Sequence, residues 1–295
     1  ADEAVSMPPA ALEPGLPAGT AMQGWRYRAL LVSVLLAAAA YLGFAFWSGW
    51  HEVSLALARV GITGVAVALV LSLFNYGLRF LRWQRYLTTL GHHVPWWPSL
   101  RMYLAGFTLT TTPGKAGEVL RGVLLKPWGI PYPKSLAALL SERLSDLTAV
   151  LLLTLFGLSL YPAAKVPVIA AALLILIAIV LLSNERMLDW FGARLAGSGR
   201  MTLLLRHVLE MLRQAARCHA PRLLLGATVL SVLAWGAEAW AFHLVLGWLD
   251  IPVGFAFAVF VYAVAMLAGA ASFMPGGLGG AEAAMTGLLV WAGAA

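Results

Sequence analysis

The sequence predicts an all-α polytopic membrane protein that combines full transmembrane helices with broken, re-entrant half-helices, arranged as a candidate inverted repeat. Composition is the first reason: the chain is 61% hydrophobic and 11% charged, with mean hydropathy +0.83, whereas soluble domains carry about 25% charged residues. Apolar runs long enough to cross about 30 Å of hydrocarbon are the second. The third is a pair of related interruptions, Pro113-Gly114-Lys115-Ala116-Gly117-Glu118 and Pro275-Gly276-Gly277-Leu278-Gly279-Gly280-Ala281-Glu282. Both read Pro-Gly-x-x-Gly followed by a glutamate. Proline removes an N–H donor and glycine removes backbone preference, so no helix passes straight through either stretch. At membrane depth such a break survives only where protein or a wet cavity covers its peptide groups.

Taken in order, residues 1–24 predict a disordered or cloning-derived segment, and 25–295 a single transmembrane domain. The acidic start lacks the positive n-region of a signal peptide. Ala29 to Gly49 is uncharged and forms the first expected span, and Val60 to Leu78 the second. Arg79, Arg82 and Arg85 follow at spacings of three, near one face of a continuing helix. Pro95-Trp96-Trp97-Pro98 reads as an interfacial anchor. Ser99 to Thr112 is too short to span, so residues 99–125 predict a re-entrant pair around the first break. Ser135 to Leu160 is the third expected span and carries Glu142, Arg143 and Asp146. Val166 to Ser183 is a fourth. Residues 184–222 form a basic loop whose middle, Met201 to Ala216, patterns as an amphipathic helix for an anionic leaflet. Leu223 to Leu249 is a fifth span, with Glu238 and His243. Ile251 to Ser272 is apolar and long enough to cross, and the second break, 272–282, precedes a last apolar run.

Topology follows from charge. With the N-terminus cytoplasmic and residues 99–125 entering and leaving on one side, only Arg59 and Lys165 of the 20 basic residues fall in outer loops. The net charge of +7 is thereby explained without nucleic acid. Three full spans then separate the two breaks, so equivalent elements enter from opposite faces, as in inverted-repeat transporters. A complete crossing by Ile251 to Ser272 would instead place the second break at the cytoplasmic surface. The single cysteine, Cys218, excludes an internal disulfide, and the histidines lack ligand spacing, so neither a metal nor another cofactor is expected.

Ionisable residues at membrane depth cost about 2.5–3.5 kcal/mol each on insertion scales and face partners or cavities. Arg143 and Asp146, three apart, can pair on their own helix. Glu142 then calls for a cation such as Arg121, Lys115 or Arg82. Glu118 and Glu282 follow the breaks, where a carboxylate either caps free N–H groups or lines a pathway. Arg101 and Arg121 flank the first break, and guanidinium groups suit phosphate. Snorkelling to headgroups is the favoured reading for Arg79, Arg82 and Arg85, with Arg82 retained as a partner for Glu142. Arg121 and Arg143 are expected to face a cavity.

These residues resemble a known family. Asn75 with Leu78-Arg79-x-x-Arg82-Trp83, then Pro113-Gly114-x-x-Gly117-Glu118-x-x-Arg121, Ser141-Glu142-Arg143-x-x-Asp146 and Pro275-Gly276-Gly277-Leu278-Gly279-x-x-Glu282 are similar, in the same order, to the flippase-like domain of lysylphosphatidylglycerol synthase, the multiple peptide resistance factor. The resemblance implies a helical domain that moves a lipid between leaflets, with Glu118, Arg121, Glu142, Arg143, Asp146 and Glu282 lining or bracing the route. No soluble aminoacyl-transferase domain occurs in this sequence, so lipid aminoacylation is not implied. A further arginine-bearing helix is expected after Ala295.

The function expected is therefore a flippase or transporter of a phosphate-bearing lipid, phospholipid or polyprenyl-linked, in a bacterial inner membrane. No phosphate loop, nucleophile motif or nucleotide site is visible, so an enzyme is not expected. The alternative class is a membrane-embedded transferase acting on a lipid. Partners expected are membrane lipids, with a homo-oligomer or a separate lipid-modifying enzyme as further candidates.

Overall fold

The computed structural model describes residue 43, residues 49–107, 116–159, 161, 165–194, 199–272, 277 and 279–293, with backbone alone for 116–119, 167, 183 and 185. All regular structure among them is helical. The helices are α1 (Trp50–Thr89), α2 (Trp96–Ala105), α3 (Ala116–Leu125), α4 (Tyr132–Leu155), α5 (Lys165–Ser183), α6 (Glu185–Arg194), α7 (Arg200–Cys218), α8 (Pro221–Trp248), α9 (Phe255–Ala271) and α10 (Gly280–Trp291). The 40-residue α1 and 28-residue α8 are long and apolar enough to cross a membrane. Helix α1 breaks once, at Gly61, where φ is 65° and ψ 174°. Pro221 opens α8 in its first turn, where the missing N–H costs nothing. At its other end Asp250 takes φ 59°, and Ile251 N–H donates to Leu246 C=O at 2.9 Å, closing a Schellman turn.

Helix α4 is the axis of the bundle. It packs against α1, α3, α5, α7, α8 and α9. The most extensive pairing is α1 with α8, which run antiparallel: Asn75 Nδ2 donates to Ala234 C=O at 2.9 Å and Ser72 Oγ to Glu238 Oε1 at 2.9 Å. Small buried residues at helical spacing make these approaches close. They are Ala227, Ser231, Ala234, Ala237 and Ala241 on α8, and Ala137, Ser141, Ser145 and Ala149 on α4.

The helices beside the two breaks meet α4 from opposite ends. Helix α3 lies along its N-terminal half, with Gly122 against Tyr132 and Ser135. Helix α9 lies antiparallel along its C-terminal half, with Phe260 against Gly157 and Val259 and Ala263 beside Val150 and Leu153. Helix α9 has 17 residues and α10 has 12, rises of about 25 Å and about 18 Å, against the ~30 Å of hydrocarbon. They pack on each other as a hairpin. At its tip Gly279 adopts φ 83°, open to glycine alone without strain. A Cβ on Gly280 would stand 2.8 Å from Ser272 Cβ and 3.0 Å from the Ala268 carbonyl. The structure thus gives Ile251 to Ser272 a shorter helix than its apolar run suggests.

Other boundaries shift for identifiable reasons. Beyond Leu78 the second expected span continues as helix to Thr89, with Arg79 and Arg82 buried instead of marking an exit. Helix α4 ends at Leu155; within the basic stretch 184–222 the amphipathic helix expected over Met201 to Ala216 is α7, and α6 precedes it as a second helix. Helix α7 spans Arg200–Cys218; its C-terminal half, with Ala215, Ala216 and Cys218 buried, docks on the bundle. Residues 1–24, the first expected span apart from residues 43 and 49, and break residues Pro113, Gly114, Pro275 and Gly276 lie outside the described residues.

Candidate functional site

Three helices bring ionised side chains to one place, and a fourth adds polar partners. On α1, Arg79, Arg82, Trp83 and Tyr86 recur at i, i+3, i+4 and i+7 and so share a face; all four are buried, while Arg85 points away and is exposed. On α4, Glu142 and Asp146 are one turn apart and buried. Helix α3 contributes Arg121, and α8 contributes Ser231 and Trp235.

Asp146 is the hub. Its Oδ2 lies 3.1 Å from Arg79 Nη2, and its Oδ1 lies 2.8 Å from Arg82 Nη1. Trp235 Nε1–H donates to Oδ1 at 3.0 Å, and Arg143 Nη1 stands 3.8 Å from Oδ2. Glu142 is the second anchor, with Arg121 Nη1 at 2.7 Å and Arg82 Nη2 at 3.9 Å. Arg82, with a side-chain exposure of 0%, therefore bridges both carboxylates and also donates to Ser231 Oγ. Tyr86 OH and Ser145 Oγ are hydrogen-bonded at 2.7 Å beside the pair. Burying charges costs several kcal/mol per ion unless partners replace water; here every carboxylate oxygen faces a guanidinium.

Aromatic faces complete the cage. The Arg121 guanidinium carbon sits 4.8 Å from the Tyr103 ring centroid, 5.0 Å from Trp83 and 5.3 Å from Phe107. That of Arg79 lies 5.2 Å from Trp235 and 5.6 Å from Phe107. Cation–π contact strengthens when desolvated. Gly106, at the C-terminus of α2, leaves room for Arg121: a Cβ there would overlap Arg121 Nε and lie 2.8 Å from its Cγ.

The charge balance is uneven. Three guanidinium groups, those of Arg79, Arg82 and Arg121, share the two carboxylates of Glu142 and Asp146 among the described side chains. Arg79 Nε, Arg82 Nε and Nη2, and Arg121 Nε and Nη2 are buried without a hydrogen-bond partner among the described residues, as is Tyr103 OH. Among the described side chains the cluster thus holds surplus positive charge and surplus N–H donors, the complement of an oxyanion.

Residues 30–295 match the family described as the lysylphosphatidylglycerol synthase transmembrane region. The chain belongs to this family. Comparison with curated proteins and with solved structures finds no match.

In this member of the lysylphosphatidylglycerol synthase transmembrane-region family, sequence-predicted residues divide into three groups. Arg82, Arg121, Glu142, Arg143 and Asp146 come together. Arg101 does not: it is exposed on α2, because its neighbours Met102 and Tyr103 take the buried face. Glu282 is also exposed, and its Oε2 accepts Gly279 N–H at 2.8 Å as an N-terminal cap of α10. Glu118 and Gly117 lie in the first turn of α3, with side-chain placement outside the described residues; Gly277 and Gly279 both adopt positive φ at the second break. The snorkelling expected of Arg79 and Arg82 is overturned by their burial. The signal for it was present in the shared face with Trp83 and Tyr86. Sequence reasoning passed over Ser231, Trp235 and Tyr103; Ser231 and Trp235 are one turn apart on α8.

Proposed function

We propose that this chain is a flippase or transporter of a phosphate-bearing lipid, a phospholipid or polyprenyl-linked lipid, in a bacterial inner membrane. The observation that carries the reading is the surplus of buried guanidinium donors around Glu142 and Asp146. A headgroup phosphate entering the cluster neutralises the excess charge and accepts the unpartnered N–H groups of Arg82 and Arg121. Its acyl or polyprenyl tail stays in lipid. Because Arg82 already contacts both carboxylates, phosphate release amounts to an exchange of partners among fixed groups, with no bare charge exposed to hydrocarbon. Helices that end at breaks on either side of α4 supply backbone termini near such a route.

The test is exchange of a fluorescent phospholipid between leaflets of proteoliposomes. Protein-dependent exchange is expected, lost in Arg121→Ala and in Arg143→Ala while both variants remain folded by thermal unfolding. Wild-type exchange in both variants, or no exchange of phospholipid or polyprenyl phosphate by the unmodified chain, overturns the reading. Mass spectrometry of lipid retained by the purified protein then names the headgroup.

A further inference from the structure

Helices α6 and α7 present a surface that the charged cluster does not use. Residues 168–182 of α5 and 186–194 of α6 meet at a bend of 70°. Asn184 sets the corner: its Oδ1 accepts Met187 N–H at 3.1 Å and caps α6. A strongly apolar helix is thus followed at once by one lying across its axis. Helix α7 then folds back on α6. Arg213 Nη2 pairs with Asp189 Oδ1 at 2.9 Å, and a Cβ at Gly192 would come within 2.9 Å of Leu209 Cδ2.

The exposed face of this pair combines features that water alone does not favour. Trp190 and Phe191 are each 51% exposed, and Met201, Leu203 and Leu204 more so. An apolar groove of about 520 Å³ runs between α5, α6 and α7, lined by Leu181, Met187, Phe191, Leu205, Val208 and Leu212 among others. Arg186, Arg194, Arg200, Arg206, Arg217 and Arg222, on α6, α7 and the first turn of α8, are exposed. Arg194 stacks on Trp190 with its guanidinium carbon 3.4 Å from the ring centroid. Residues 184–222 hold three acidic residues, Glu185, Asp189 and Glu210, against seven arginines.

We propose that the α6–α7 face docks on an anionic lipid leaflet, the groove seating acyl chain and the exposed arginines binding headgroup phosphates. Charge complementarity, exposed aromatic anchors and the crosswise turn after α5 single out a membrane surface as the occupant. The surface stands apart from the guanidinium cluster and does not depend on lipid exchange.

The test places a nitroxide at Leu204→Cys, with the buried Cys218→Ser, in nanodiscs of phosphatidylcholine with and without phosphatidylglycerol. With phosphatidylglycerol, oxygen accessibility of the label is expected to rise several-fold while accessibility to a water-soluble relaxant falls. A label in water in both compositions, equal immersion in both, or dipolar broadening from a second copy each overturns the proposal. The chain with its native cysteine supplies a second measurement: its thermal midpoint is expected to be higher with phosphatidylglycerol, and Arg200→Gln, Arg206→Gln and Arg217→Gln together are expected to remove the difference. Equal midpoints in the two lipids for the unsubstituted chain overturn it as well.

Discussion

The two breaks carry nearly the same motif and do different physical work. Three residues after Glu118 comes Arg121; three residues after Glu282 comes Met285. That one difference decides what each following helix delivers. Helix α3 carries a guanidinium inward to Glu142 and an aromatic cage. Helix α10 carries Met285 and Leu289 into an apolar cluster with Phe257, Phe260 and Leu288. The first region is held by charge and the second by close contact of small residues. A shared backbone motif therefore specifies a break, and the residue one turn further on specifies its use.

The comparison breaks most visibly at Arg121. Arg121→Met keeps the bulk and removes the charge, leaving Glu142 buried with Arg82 Nη2 no closer than 3.9 Å. A loss of about 3–5 kcal/mol is expected, together with loss of lipid exchange. Adding Glu142→Gln is expected to restore much of the stability, since no bare carboxylate then remains, yet exchange stays absent. Denaturant unfolding in detergent and the proteoliposome assay read the two effects separately. Recovery of exchange in the double variant would mean that the pair serves the fold alone. Asp146→Asn comes next, at about 1.5–3 kcal/mol: the amide oxygen still accepts Trp235 Nε1–H, but Arg79 loses its paired carboxylate and Arg82 keeps only Glu142, at 3.9 Å.

Glycine substitutions sharpen the contrast. Gly106→Ala and Gly280→Ala both place a methyl where atoms already sit, and each is expected to cost about 1–3 kcal/mol by overpacking. Only the first touches a guanidinium. A Cβ at Gly106 meets Arg121, whereas one at Gly280 meets Ser272 and the Ala268 carbonyl. Exchange is expected to fall in Gly106→Ala and to persist in Gly280→Ala at matched stability. Equal losses in the two would make the bundle as a whole, rather than the arginine site, the sensitive element.

Much of this was legible in the chain. Apolar runs located α5 and α8, because helix continuity is a local matter of backbone donors and side-chain sterics; the prolines of the two expected interruptions lie outside the described residues. The pairing of Arg143 with Asp146 is equally local, being three residues apart on one helix. The burial of Arg79 was harder to read. Whether an arginine at the end of a span exits to headgroups or turns inward depends on what α4 and α8 present, here Asp146 and Trp235, which lie 67 and 156 positions away in sequence. Arg101 failed for the same reason in reverse: proximity to a break did not tell which face of α2 it occupied. The Glu282 carboxylate could be read as cap or pathway, and only the placement of Gly279 N–H distinguishes the two.

Glu282→Gln is the smallest expected effect and separates those two roles. A glutamine at the third position of a helix serves a capping box as a glutamate does, because its amide oxygen accepts the same backbone N–H. If the carboxylate acts as a cap, Glu282→Gln leaves both thermal midpoint and exchange close to the unsubstituted chain. Glu282→Ala, which removes the acceptor, then loses about 0.5–2 kcal/mol. The exposed position of Glu282 and its 2.8 Å contact with Gly279 N–H favour this outcome. A transport role predicts the opposite order, since losing the charge would stop exchange in Glu282→Gln at unchanged stability. That result would give the second break a part in moving charge, and the contrast with Arg121 would then lie in the sign of the charge each break supplies.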